Sequence, residues 1–261
     1  MANEALKISV RDLHKRFGSN EVLKGVDLGL ANGESVVVIG ASGTGKSVLL
    51  RCILGLVAAD KGEISIDGVD MKSTGRAKRE KLRRQIGVLF QGAALFDSVP
   101  VWENVAFALL NGTKSQRTSR KDARERAEEC LALVGLSPRV GALLPADLSG
   151  GMQKRVGLAR AIAADPAVLF FDEPTTGLDP ITADVINTLI VERVKAMGAS
   201  AISITHDLAS AKKIADRIVM LHEGRVIWSG PATELDQSGN PMVDQFVNGR
   251  ADGPIKMSLR A

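Results

Sequence analysis

The run Gly40-Ala41-Ser42-Gly43-Thr44-Gly45-Lys46-Ser47 places glycines, a lysine and a serine at the spacing G-x4-G-K-[ST]. Glycine adopts backbone angles closed to other residues, so such a loop curls until successive N–H groups point at phosphate oxygens. A helix that follows adds its positive N-terminal end. Lys46 would then reach the β- and γ-phosphates, and the Ser47 hydroxyl would be a Mg²⁺ ligand. A simple Gly-rich turn is the plain alternative. A second run, Val168-Leu169-Phe170-Phe171-Asp172-Glu173, is an apolar strand ending in two carboxylates. Beside a phosphate-binding loop, Asp172 would hold Mg²⁺, usually through water. Glu173, one position further, is the candidate general base for water attacking the γ-phosphate. A solvated strand end would show the same letters.

These groups need elements to position them. Ser35–Gly40 (SVVVIG) reads as a buried strand leading into the loop, and Val26–Leu30 alternates as a half-buried one. Lys46–Leu56 has helical periodicity, with Val48, Leu49, Cys52, Ile53 and Leu56 on one face. From about Ala93 to Pro166 the pattern is helical, with mixed charges along Lys121–Leu133 and Ala127, Leu131 and Val134 opposite. Alternation of strand and helix returns past residue 165, with AVLFF, a helix near Ile181–Met197, SAISIT, RIVML and RVIWS. Strands alternating with helices imply an α/β fold with a mainly parallel sheet, here interrupted by a helical insertion.

Composition sets the limits. The chain has 261 residues, 34 Lys+Arg against 30 Asp+Glu, and 45% hydrophobic residues, enough to fold a core without staples. A net charge of +4 is too small to imply nucleic acid. No apolar run is long enough for a membrane-spanning helix, and the start carries Glu4 without the pattern of a secretory signal, so a cytoplasmic protein is expected. Cys52 and Cys130 lie outside any CxxC and argue against zinc; Cys52 reads as packing in preference to a redox role. The basic run Arg76, Lys78, Arg79, Lys81, Arg83, Arg84 is interrupted by Glu80 and reads as a solvated helix.

Leu148-Ser149-Gly150-Gly151-Met152-Gln153 precedes a helical pattern over Lys154–Ala163 and could be no more than a capped helix start. Following the glycine loop and preceding Asp172, however, it makes the chain resemble the ATP-binding cassette (ABC) ATPases over nearly its whole length. That resemblance implies a P-loop NTPase fold of the ABC type: a RecA-like mainly parallel sheet, an antiparallel β-subdomain and a helical subdomain. It implies residues 1–92 and 166–247 as the core, 93–165 as the signature lobe and 248–261 as an extension. In that family Ser149, Gly150 and Gly151 would contact the γ-phosphate held by a second subunit, sandwiching two ATP in a head-to-tail dimer. Phe17 would stack on adenine and Val22 would touch ribose and adenine, although Phe17 could be ordinary core. Gln91 matches the Q-loop, linking Mg²⁺ and the attacking water to the helical lobe. Asp179, in Thr176-Gly177-Leu178-Asp179, matches the D-loop, and His206 the switch histidine on the γ-phosphate. A surface glutamine and a surface histidine are the alternatives for Gln91 and His206.

Within the family the chain is similar to the ATPase of Mla-type phospholipid transporters, which work with MCE-domain proteins. The similarity rests on Leu89–Ser98 and Val101–Ala106, on Met152, and on the ending Asp244–Gly249 with Ala251–Pro254. It implies an energy-coupling ATPase, peripheral on the cytoplasmic face of the inner membrane, that drives a separate polytopic permease and moves phospholipid across the bacterial cell envelope. An MCE protein and a small accessory subunit would be further partners. A polar-solute importer and a soluble cassette for iron–sulfur assembly remain the other readings. Leu95, Phe96 and Trp102 would line the groove that takes a permease helix, or would be core of the helical lobe. Ile255, Met257 and Leu259 alternate with Lys256, Ser258 and Arg260, an extended tail expected to embrace the neighbouring subunit.

Overall fold

A computed structural model describes residues 6–111 and 117–256. The chain runs β1 (Ile8–Phe17), β2 (Asn20–Leu30), β3 (Ser35–Ile39), α1 (Lys46–Ile53), β4 (Lys61–Ile66), β5 (Val69–Asp70), α2 (Arg76–Arg83) and β6 (Ile86–Leu89). Helices follow: α3 (Val101–Val105), α4 (Phe107–Leu110), α5 (Arg120–Leu133) and α6 (Gly150–Ile162). The α/β alternation resumes with β7 (Val168–Asp172), α7 (Pro180–Met197), β8 (Ser200–Ile204), α8 (Leu208–Ile214), β9 (Arg217–His222), β10 (Arg225–Pro231) and α9 (Pro241–Val247).

Two compact units form. The first comprises Met1–Lys72 with Ile204–Ala261. In it β1 lies between β2 and β4, antiparallel to both, and Ile8 faces Leu30 and Ile66 across the two ladders. All three side chains are buried, so one face of this sheet is core. The half-buried alternation expected at Val26–Leu30 is observed inside β2. The expected buried strand is β3, which runs parallel to β9, and β9 pairs antiparallel with β10. Arg217 fixes the start of β9, donating from Nε to Glu34 Oε1 at 2.6 Å and from Nη2 to Glu34 Oε2 at 3.2 Å.

The second unit comprises Ser73–Ser203. Its strands lie in the order β8, β7, β6, with β6 and β7 parallel. Every residue of β7 is buried, the apolar Val168–Phe171 together with the Asp172 that ends it. Helix α6 lies close on β6 because the contact is made by glycines. A Cβ on Gly87 would stand 2.0 Å from the Ala161 carbonyl oxygen, and one on Gly157 would stand 2.6 Å from Leu89 Cδ1. The apolar face of α5 is as expected, with Ala127, Leu131 and Val134 buried.

One expectation is corrected, and one open reading is decided. Helix α1 ends at Ile53, and Leu56 is 62% exposed. Gly55 turns left-handed (φ 67°), and the Leu56 N–H closes back on the Arg51 carbonyl. Of the two readings of Trp102, the core one holds: it is buried, with Arg120 and Arg124 over its ring at 5.0 and 5.7 Å. Residues 251–255 are a chain of bends, curled around Gln245, which stand before the alternating segment expected from Ile255 onward. Met257 and Leu259 lie outside the described residues.

Candidate active site

In the first unit β3 delivers the chain into the glycine loop. Gly40 has φ 148°, and a Cβ there would stand 2.2 Å from the Leu221 carbonyl oxygen, so only glycine passes beside β9. Gly45 is left-handed too (φ 105°), and a Cβ on it would meet Leu23 Cδ2 at 2.9 Å and Val22 O at 3.0 Å. Val22 therefore lies against the loop. Gly45 is also the N-cap of α1 and has no side chain to accept from the first-turn amides, which leaves them directed at an incoming anion. The buried Lys46 folds back over the loop, donating to Gly40 O at 2.7 Å and Ala41 O at 2.9 Å. Thr44 Oγ1 donates to Ala41 O at 2.9 Å and tightens the same turn. Ser42 and Gly43 are exposed at the tip, and Ser47 is half-buried one residue into the helix.

His206 is in this unit and exposed. The Thr205 N–H donates to Val38 O, so this segment runs alongside β3 and leaves at the same edge as the loop. Asp207 then caps α8, accepting from Ala209 N at 3.0 Å and Ser210 Oγ at 2.5 Å, which fixes the backbone under the histidine. Phe17 is half exposed at the end of β1, with Lys15 Nζ 5.2 Å from its ring centroid, so it is not core and its ring is open to a planar ligand.

The second unit holds the carboxylates. Asp172 ends β7 and Glu173 follows it, both buried. Glu173 has φ 49°, a left-handed conformation that costs a side chain of this size on the order of 1 kcal/mol. Thr176 Oγ1 donates to Glu173 Oε2 at 2.9 Å and orients the carboxylate. Gln91 is exposed just past β6. Ala93 and Ala94 after it are both left-handed (φ 58° and 48°), and Arg160 of α6 donates to their carbonyls at 2.5 and 2.7 Å.

Ser149 does cap α6, accepting from Met152 N at 3.3 Å, while Ser149 and Gly150 stay exposed. Asp179 caps α7, accepting from Ile181 N and Thr182 N at 3.0 Å; with Thr182 its main partner, these bonds hold its carboxyl below the usual range. A Cβ on Gly151 would stand 2.9 Å from Thr182 Cγ2, so the starts of α6 and α7 adjoin and bring the signature residues beside Asp179.

Three residues escape a reading of the sequence. Lys154 is buried on α6, and its ammonium donates to the Gln91 carbonyl and, at 3.2 Å, to the Glu173 carbonyl. Its signal was available: it shares the i, i+4, i+8 row with Leu158 and Ile162, both buried. The Thr176 hydroxyl and the exposed Phe107 ring, 4.6 Å from Phe96, are the other two.

Residues 23–176 match the family described as ABC transporter. The chloroplast protein Trigalactosyldiacylglycerol 3 of Arabidopsis thaliana is 43% identical over 95% of this chain and 75% of its own length. The Intermembrane phospholipid transport system ATP-binding protein MlaF of Escherichia coli K12 is 35% identical over 95% of this chain and 91% of its own. Among solved structures, a dimeric ATP-binding cassette in a post-hydrolysis state, bound to ADP and Pi, superposes with TM-score 0.77 and 32% identity over 86% of this chain and 98% of that one. Loop, carboxylate strand, signature helix and fold agree with these likenesses: the chain belongs to the ABC transporter family and is an ATP-binding, ATP-hydrolysing subunit of it.

Proposed function

We propose that this ATPase powers phospholipid movement across a bacterial cell envelope, working as a head-to-tail dimer beneath a separate permease on the cytoplasmic face of the inner membrane. The observation that carries the cargo is the near full-length likeness to an ATPase named for intermembrane phospholipid transport. No helix among the described residues is long and apolar enough to cross a membrane, in keeping with a permease on another chain. The exposed Ser149 and Gly150 at the start of α6 are free to meet a second subunit's nucleotide, and a similar cassette is a dimer.

The site suits MgATP. Ser47, Asp172 and Gln91 offer only oxygen donors, the set a hard cation takes, and no cluster of three His, Cys, Asp or Glu occurs among the described residues. Mg²⁺ takes few protein ligands and fills the rest of its shell with phosphate oxygens and water. When bound, Mg²⁺ would neutralise charge on the β- and γ-phosphates. The protein's own part is then distributed by position. The loop amides of 41–47 and Lys46 bind the phosphates, Phe17 and Val22 take the adenosine, Glu173 accepts a proton from the attacking water, and Gln91 and His206 place that water and the γ-phosphate. Residues 93–165 act as the signature lobe. Phe96 and Phe107 form its exposed apolar contact, and Phe107 with Arg83 and Arg84 lines a cleft of about 460 Å³. That face would receive the permease. Beyond Gly249 the tail, started by Gln245, would reach the neighbouring subunit, and an MCE-domain protein would complete the assembly.

Glu173→Gln should retain ATP, accumulate an ATP-bound dimer by sedimentation and cut turnover at least about 100-fold, because shape is kept and the base removed. Lys46→Ala should instead weaken ATP binding about 10-fold or more, since a phosphate contact is deleted. Purification from solubilised membrane should bring down a polytopic permease, and the reconstituted complex should move labelled phospholipid with ATP but not with Glu173→Gln. Recovery of soluble partners alone would overturn the transport reading.

A further inference from the structure

Lys154 has no part in the roles above, yet it is the buried cation nearest the hydrolytic carboxylates in its unit. Burial pushes its ammonium pKa down, while the adjacent Asp172 and Glu173 push it back up. Its partners are main-chain: the carbonyl of Gln91 at the end of β6 and the carbonyl of Glu173 at the end of β7. These two residues carry the side chains assigned to water and proton transfer, and Lys154 sits just over one turn into the helix that Ser149 caps.

We propose that Lys154 is a positioning residue for hydrolysis: one ammonium clamps the backbone at Gln91 and at Glu173, so both side chains are presented from a single point on α6. Neighbouring features support the clamp. Gly87 and Gly157 let α6 approach β6 closely enough for the lysine to reach both strand ends. Arg160, six residues on, grips Ala93 and Ala94 from the same helix, so the Q-loop is held at both ends. Glu173 is in a left-handed conformation that a carbonyl anchor helps maintain. A lysine is suited to this because its compact head donates to several acceptors at once.

The inference rests on the assignment of Glu173 and Gln91, and its test separates the two. In the full chain with its membrane complex, Lys154→Met should lower kcat about 10- to 100-fold, the scale of a misplaced catalytic group, with the KM for ATP changed less than about threefold. Lys154→Arg, which restores a cation with several donors, should recover kcat to within about fivefold of the parent, and Lys154→Gln should fall between. ATP affinity measured in the Glu173→Gln background should be the same with and without Lys154→Met. A merely structural lysine would give variants that lose melting temperature and ATP affinity together, with no ordering by donor number, and that outcome overturns the clamp. A parental kcat in Lys154→Met beside an inactive Glu173→Gln also overturns it while leaving the site assignment intact. Parental activity in Glu173→Gln would instead overturn the site assignment.

Discussion

Asn104 is fully buried on α3, and its amide organises the loop that carries Phe96. Its Oδ1 accepts from the Phe96 N–H at 2.7 Å. Its Nδ2 donates to the carbonyls of Phe96, Val99 and Pro100 at 3.1, 3.0 and 3.3 Å. Two amide hydrogens serve three acceptors, so the side chain is worth about three full hydrogen bonds. At about 1 kcal/mol net each, Asn104→Ala should cost roughly 3 kcal/mol. For a chain of this size that is a fall in Tm of about 6–12 °C. Asn104→Asp should cost more than alanine at neutral pH, although it is the closer isostere, because it places an anion against carbonyl oxygens in a buried site. Scanning calorimetry with urea unfolding of both variants gives the measurement. A shift under about 2 °C for alanine, or aspartate more stable than alanine at pH 7, would refute the reasoning. The same variants should bind the permease less well, since the loop they loosen presents Phe96.

Burial pushes the thiols of Cys52 and Cys130 up to about 11, so neither should react with a thiol reagent at about pH 8 in the native chain, and both should react once unfolded; rapid native labelling of either would contradict this. His14 lies between Asp12 at 2.9 Å and Glu21 at 3.3 Å, and these bonds, Asp12's first, raise its pKa above the ordinary value. A raised folded pKa gives stability that is complete below the unfolded value of about 6.5 and lost as pH rises through the folded one. The parent should therefore exceed His14→Gln in stability most near pH 6 and least near pH 9, as read by urea midpoints; a gap that widens with pH would reverse the sign.

Much of the site was legible because its chemistry is local. The glycines at 40, 43 and 45 all take positive φ, which their spacing before Lys46 announces, and the solid apolar letters of Val168–Phe171 form a fully buried strand. What was missed depends on distant groups. The helix through Lys46 stops three residues short of Leu56 because Gly55 turns left-handed, a choice the apolar periodicity hides. Trp102 reads equally as surface anchor or core until α5 lays Arg120 and Arg124 over its ring. For Lys154 the row with Leu158 and Ile162 marks a buried face, but its partners are backbone carbonyls 63 and 19 positions away in sequence, which leave no side-chain imprint.

Ala93 and Ala94 make the stretch after Gln91 costly to hold. Two successive alanines in the left-handed basin are each uphill by on the order of 1 kcal/mol. A guanidinium reaching across from α6 bonds the carbonyls of both. The Ala93 N–H also closes on the Phe90 carbonyl, and Ala93 is buried, so packing and hydrogen bonds together offset that cost. The backbone just past Gln91 is thus tied to α6 by two bonds from one side chain, so that stretch and the helix that Ser149 caps are coupled through Arg160.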